Sequence, residues 1–309
     1  MKKNRYYFLL FFLGSVFFLL SSSHSQRAIS EATKVFASSG LVLNQQLAKN
    51  GSGLQYRVLE LPNSTVYILE IVTNSRYRMG VDIASSLDSL PDFARQSKAI
   101  AVINGGFFNV LNGATASYVY KNGKMVGDPI RNNKLMANSR LRPFLAKILN
   151  RSEFRYYLCG SKIKYSITNH LTPVPKGCRL LNSLGAGPRI LPNFTATDEG
   201  FYIQKEGRIL RDPLGIYQAN ARSALGIKAN GDLLWVMVAQ KINLTGNSGL
   251  SLFSLAKFMK DLGVQEAINL DGGSSSSLYF KGVTHYGKID QDAKYIKRQV
   301  KSVLILQDN

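Results

Sequence analysis

Short apolar runs broken by turn residues dominate the pattern of hydrophobic and polar positions, and they predict strands more often than helices. Val66 to Val72 is apolar and β-branched, and Arg78 to Ala84 alternates, so both predict strands. Leu90-Pro91 opens a short helix that ends near Lys98, and Ala99 to Ile103 predicts a buried strand. Tyr118 to Val126 predicts a hairpin with Asn122-Gly123 at its turn; Leu225 to Val238 predicts another, turning at Asn230-Gly231. Leu252, Leu255, Ala256, Met259 and Leu262 share one face of a helix over Ser251 to Leu262, which Gly263 stops. Val264 to Leu270, Leu278 to Phe280 and Ser302 to Leu306 predict further strands. Many hairpins with few helices give an α+β fold: a single domain with mixed or antiparallel sheets.

The first residues follow a different logic. Lys2, Lys3 and Arg5 precede a bulky apolar run from Tyr6 to Leu20, and Ser-Ser-Ser-His-Ser follows. Basic start, apolar middle and small residues at the end predict a signal peptide over residues 1–25, with Ser23 and Ser25 at positions −3 and −1 of the cut. The alternative is an uncleaved anchor, the only expected association with a membrane. Residues 26–53 form a polar lead-in, with a short helix over Ser30 to Ser38, and the domain proper spans 54–309. Export makes a disulfide between Cys159 and Cys178 reasonable, against the alternative of two buried thiols.

The net charge is +20, and +17 without the three basic residues of the signal. Export argues against a nucleic-acid partner, so the charge suits an anionic envelope polymer or a phosphate-bearing substrate, with a solvated basic surface as the plain alternative. The basic residues are denser from Arg131 to Arg142 and from Lys294 to Lys301.

Two segments share one design. Ala101-Val-Ile-Asn-Gly-Gly-Phe-Phe runs from an apolar strand into Asn104, Gly105, Gly106 and Phe107; Ala267-Ile-Asn-Leu-Asp-Gly-Gly-Ser-Ser runs into Asp271, Gly272, Gly273, Ser274 and Ser275. Paired glycines let backbone approach a ligand and expose amide N–H groups, while the strand fixes the preceding polar side chain. Arg222 and Ser223, in Asn220-Ala-Arg-Ser-Ala-Leu-Gly-Ile, supply a third element, with Arg222 able to fork two hydrogen bonds onto a phosphate.

In this order NGGFF, RSALGI and NLDGGSSS resemble the motifs of the phosphodiester glycosidase family, and the likeness extends from about Ile100 to the C-terminus. Ser274 stands where that family often has a third glycine, and Ser223 where it often has threonine. The resemblance implies an exported hydrolase that cleaves a sugar from a phosphodiester-linked glycan, or from a glycoconjugate, with bacterial relatives linked to exopolysaccharide. It implies Asp271, Asn104 and Arg222 as catalytic residues. Gly105, Gly106, Phe107, Ser223, Gly272, Gly273, Ser274 and Ser275 are its expected substrate contacts. Asp82, Asp128, Asp212 and Glu266 are the available second carboxylates. Asp271 among Ser and Asn side chains could instead ligate a divalent cation such as calcium. The competing functions are a non-catalytic envelope protein that binds or helps assemble an anionic exopolysaccharide and, more remotely, a serine hydrolase using the Gly273-Ser274 run, for which no G-x-S-x-G elbow exists.

Overall fold

The computed structural model describes residues 53–242, 244 and 248–308. The signal over 1–25, nearly all of the lead-in and the helix expected over Ser30 to Ser38 lie outside the described residues. Among the described residues no helix is long and apolar enough to cross a membrane.

The chain order is β1 (Leu54–Leu61), β2 (Ser64–Ile71), β3 (Tyr77–Asp88), α1 (Leu90–Ser97), β4 (Ala101–Asn104), β5 (Val119–Lys121), β6 (Lys124–Gly127), α2 (Asn133–Met136), α3 (Leu145–Leu149), β7 (Ser152–Cys159), β8 (Lys162–Asn169) and β9 (Cys178–Gly185). It continues with β10 (Arg189–Leu191), β11 (Ile203–Lys205), β12 (Arg208–Arg211), β13 (Arg222–Lys228), β14 (Leu233–Gln240), α4 (Leu252–Asp261), β15 (Val264–Asn269), β16 (Ser277–Phe280), β17 (Val283–Tyr286) and β18 (Val300–Asp308). Three larger sheets result, in the orders β1-β2-β14-β13-β15-β10, β17-β16-β4-β18-β3 and β6-β5-β9-β7-β8. The pairings within them are antiparallel, as in β2–β14, β4–β18 and β7–β9.

Strand β14 explains why the sheets stack. Its residues Leu233 to Ala239 are all buried, so it has no solvent face. Leu233, Trp235, Met237 and Ala239 point into a core shared with Ile103 and Leu304 of the second sheet and Phe154 and Leu184 of the third. Leu234, Val236 and Val238 point the other way, against Leu252, Leu255 and Met259 of α4. Helix α1 covers the outer face of the second sheet through Leu90, Phe93 and Ala94, packed with Val102, Val303 and Ile305. The period-2 alternation of each strand thus feeds two cores at once.

The local signals hold at the chain level. Ser89 caps α1 through its side chain, and Lys98 ends it in the left-handed region. Ser251 caps α4, and Gly263 follows it at φ +82°. Asn122 and Gly123 both have positive φ, as the tight turn between β5 and β6 requires. The β13–β14 connection differs from expectation. Only Gly231 is left-handed there; Gly231 N donates to the Lys228 carbonyl and Lys228 N to the Asp232 carbonyl, so the loop closes over three residues, Ala229 to Gly231, rather than as a two-residue Asn-Gly turn.

Cys159 and Cys178 are bonded and face each other in the β7–β9 register. They sit at the far end of these strands from Ser152 and Gly185, roughly 23 Å away at about 3.3 Å per residue. Closing this loop restricts the unfolded chain, so replacing both cysteines by serine should cost about 2–3 kcal/mol. Urea unfolding of the two proteins measures this, and an unchanged midpoint would mean that the β7–β9 ladder alone holds the strands.

Candidate active site

The strand ends Asn104, Gly185 and Asn269 and the strand starts Ser152, Arg222 and Ser277 converge, and Asp271 lies among them. The two glycine segments meet there directly. Asp271 N donates to the Gly105 carbonyl at 2.9 Å, and the Asn104 Nδ2 donates back to the Asp271 carbonyl at 2.6 Å. Leu270 N donates to the Ser223 carbonyl at 2.8 Å, which brings in the third element. The sequence-predicted residues of all three segments therefore form one cluster.

Several of their side chains bond within the protein. Asn104 is fully buried. Its Oδ1 accepts from the Ser223 hydroxyl at 2.6 Å and from Ser277 N at 3.1 Å, so its amide ties β4 to β13, β16 and the Asp271 loop. It positions Asp271 and is sealed from any ligand. Ser223 is equally buried, with its hydroxyl on Asn104.

The glycine amides also face inward. Gly105 N donates to the Ser302 carbonyl, Gly106 N to the Ser302 hydroxyl and Gly273 N to the Ala221 carbonyl. A side chain at Gly105 would place its Cβ 2.6 Å from the Ser302 carbonyl, and one at Gly106 would meet the Gly185 carbonyl at 2.2 Å. These glycines let backbone approach backbone, not ligand. Gly272 is the exception in direction, because its N–H bonds the Asp271 carboxyl.

Arg222 directs its donors onto main-chain carbonyls. It is buried, its Nε donates to the Leu250 carbonyl, Nη1 to Leu214 and Nη2 to both Gly215 and Gln218. A guanidinium with four N–H groups on main-chain carbonyls has too little left to fork onto a phosphate. Arg222 instead pins the loop of residues 214–218 beneath Gly272.

The cation beside Asp271 is Arg298. Its charge acts on the Asp271 carboxyl, and its Nε donates to the Ser274 hydroxyl at 3.2 Å. Its terminal nitrogens have no hydrogen-bond partner among the described residues. Residue-level reasoning missed it, although it lies within the dense basic stretch from Lys294 to Lys301. Its position two residues before β18 places it here, a long-range fact that no local motif encodes.

Asp271 is partly exposed yet surrounded by protein, and loss of hydration pushes its carboxyl up to about 7. The Ser275 hydroxyl, the Gly272 N–H and the Arg298 charge pull in the opposite direction and do not prevail. Ser275 is buried, and Ser274 is partly exposed. Phe107 is half-buried, its ring tilted against Phe201 at 5.4 Å. The four candidate second carboxylates are engaged elsewhere. Asp82 pairs with Lys121 at 2.6 Å, Asp128 caps Ile130 N, Asp212 accepts from Ile216 N, and Glu266 accepts from Ile167 N. Among the described residues no three His, Cys, Asp or Glu side chains come together as a metal site would need.

The family model for phosphodiester glycosidases matches residues 97–307. The fold is similar to that of the zebrafish N-acetylglucosamine-1-phosphodiester alpha-N-acetylglucosaminidase catalytic domain, solved in a form auto-inhibited by its pro-peptide. That match has 16% identity and a TM-score of 0.61, and covers 84% of this chain and 85% of that one. A Burkholderia pseudomallei K96243 protein provisionally named as exported matches at 15% identity and a TM-score of 0.56, over 83% and 75% of the two chains. A Synechocystis protein of no assigned activity matches at 17% and 0.54, over 82% and 61%. No curated protein sequence matches the chain. With more than half of its length matched by the family model, and with both glycine loops of that region built into one cluster, the chain belongs to the phosphodiester glycosidase family.

Proposed function

We propose that this chain is an exported hydrolase that releases a sugar from a phosphodiester-linked glycan or glycoconjugate, with residues 1–25 as its export signal and 54–309 as its catalytic domain. The observation that carries this reading is Asp271, a carboxylate with a raised pKa beside a cation that has free N–H groups. A base that titrates near neutrality can both hold and accept a proton at working pH. In the proposed step a water oxygen attacks the anomeric carbon while Asp271 takes its proton. The bond from that carbon to the phosphate oxygen breaks, and its electron pair leaves on the phosphomonoester. The Arg298 guanidinium neutralises the charge that gathers there. Phosphate is already a fair leaving group, so this route makes little demand on a second carboxylic acid. Ser274 and Ser275 flank the base, and Gly272 holds its carboxyl through an N–H. Asn104, Ser223 and Arg222 act through the backbone they hold. Gly105, Gly106 and Gly273 act by their close packing, and Phe107 forms the wall on the Gly106 side.

One observation favours a second reading, the binding of an anionic exopolysaccharide without turnover. Each of the candidate second carboxylates has another partner, which leaves Asp271 as the single acidic group proposed for chemistry. The two readings separate on Asp271→Asn, assayed by release of free sugar from a panel of sugar phosphodiesters. The hydrolase reading expects release to fall by at least about a thousandfold, with substrate affinity retained. Wild-type protein that binds the panel and releases nothing would establish the binding reading.

Arginine substitutions separate the two arginines. Arg298→Met should lower kcat/KM by about 10–100-fold with little change in melting temperature, because it removes a charge-assisted contact from an otherwise intact loop. Arg222→Met should instead lower the melting temperature sharply, since it strands the Leu214 and Gln218 carbonyls, while those of Gly215 and Leu250 keep Gln218 N and Asn220 N as donors.

The pH dependence follows from the raised Asp271 pKa. The base is active when ionised, so kcat/KM should rise along a limb centred near pH 7. Stability runs the other way. The unfolded carboxyl ionises near its ordinary pKa of about 3.9, while the folded one holds its proton up to about 7, so native stability falls between these values as pH rises. Asp271→Asn should therefore raise the melting temperature by about 2–5 °C at pH 8 and by less at pH 4. Calorimetric scans at the two pH values check this, and an equal shift at both would show that ionisation is not its cause.

A further inference from the structure

A second guanidinium sits at the same end of the sheets. Arg151 immediately precedes β7, and its backbone carbonyl accepts from His170 N at 3.0 Å. Its Cζ lies 3.6 Å from the centre of the Phe201 ring and 5.8 Å from that of Phe107, the residue that follows the Gly105-Gly106 pair. Nε donates to the Glu199 carbonyl at 3.1 Å. Nη1 and Nη2 have no hydrogen-bond partner among the described residues, and unlike the Nε atoms of Arg57 and Arg189 they are not sealed from solvent. Arg151 also lines a recess with Ser117, Tyr118, Glu153 and Gly185; at about 10 Å³ it has room for roughly one water and does not itself hold a phosphate.

The charge on Arg151 has no carboxylate in contact. The nearby Glu199 carboxylate accepts from Ser152 N, the Ser152 hydroxyl, Arg189 N and the Thr195 hydroxyl. Glu153 pairs with Arg155 and with His170. Burial lowers the Arg151 pKa to about 9, so the group stays cationic at neutral pH but is poorly hydrated. A poorly hydrated cation with two free N–H₂ groups, held over an aromatic ring, is organised to receive an anion.

We propose that Arg151 forms a second anion subsite, separate from Arg298, and that the natural substrate carries a second anionic group besides the scissile phosphodiester. The inference rests on the hydrolase reading for the word substrate, but the subsite itself is a binding property. Arg298 reaches Ser274 beyond Asp271, whereas Arg151 stands past Gly106 on the other glycine loop. One diester carries one charge, which Arg298 already faces. The second group is a phosphate or a carboxylate on the released sugar or on its aglycone.

Isothermal titration of the wild-type protein tests this with four probes. The methyl diester of glucose 1-phosphate, which carries one charge, is the reference. Its 6-phosphate adds a phosphate to the sugar, the matching glucuronic acid diester adds a carboxylate, and UDP-glucose adds a second phosphate charge on the aglycone side. At least one of the three should bind about tenfold more tightly than the reference, and Arg151→Met should reduce that advantage to within about twofold while leaving reference binding unchanged. Arg151→Lys, which keeps the charge and loses the fork, should retain part of it. Equal weakening of all four probes by Arg151→Met would make Arg151 a packing residue and overturn the proposal. No preference by the wild type would overturn it whatever the variants do. The hydrolase reading fails separately: a preserved preference with no sugar release from any phosphodiester removes the enzyme and leaves the subsite.

Discussion

The side chain of Asn104 holds the candidate site together. It is fully buried, it takes two hydrogen bonds on its oxygen, and it gives one from its nitrogen. Those three bonds reach the ends of β13 and β16 and the carbonyl of Asp271. A buried amide with unmet bonding capacity would cost several kcal/mol, so the arrangement is strongly favoured once the strands have met. Glycine at 105 and 106 is the steric condition for that meeting, because any side chain there would collide with Ser302 or Gly185. The carboxyl of Asp271 is thus carried on a backbone fixed from both sides, as a reacting group requires.

Three arginines show how context divides one chemistry into different tasks. Arg222 is saturated by main-chain carbonyls and braces a loop. Arg298 keeps one contact, to Ser274, and leaves its remaining N–H groups beside Asp271. Arg151 sits over the Phe201 ring with its terminal nitrogens open. The net charge of +20 says nothing about this division. Hydrogen-bond partners and burial decide it, since a guanidinium can neutralise a ligand only with donors the protein has not already used. The same logic governs Asp271, where weak hydration outweighs a hydroxyl, an amide and a nearby cation.

The fold supports this economy by placing rigid pairing and variable chemistry at opposite ends. Strands β7 and β9 are cross-linked at Cys159–Cys178, and their other ends supply Ser152 and Gly185 to the site region. Strand β14, buried on both faces, holds the first sheet between two cores, so the strand ends that carry Ser223 and Asn269 have little freedom to move.

Much of the fold was legible locally. Gly263 as a stop and the Asn122-Gly123 turn each follow from the conformational preferences of the residues involved, and the structure places them as read. The two glycine segments were legible as a pair because Asn104 and Asp271 each stand directly before paired glycines, although Asn104 ends β4 and Asp271 lies two residues past the end of β15. What those residues do was not legible. A sequence shows that glycine can expose an amide, but whether that amide meets a ligand or Ser302 depends on what packs against it. Arg222 stood out beside a motif and has four of its N–H groups on main-chain carbonyls, whereas Arg298 and Arg151 carried no local signature and each make one side-chain hydrogen bond. The sequence by itself determined the hairpin of residues 118–126, the two longer helices and several strands, but not β1 or β7 to β9, because only the former carry clear short-range sterics and side-chain periodicity. The tertiary structure alone decided which polar groups are used up and which are left free, because that depends on partners far apart in the chain.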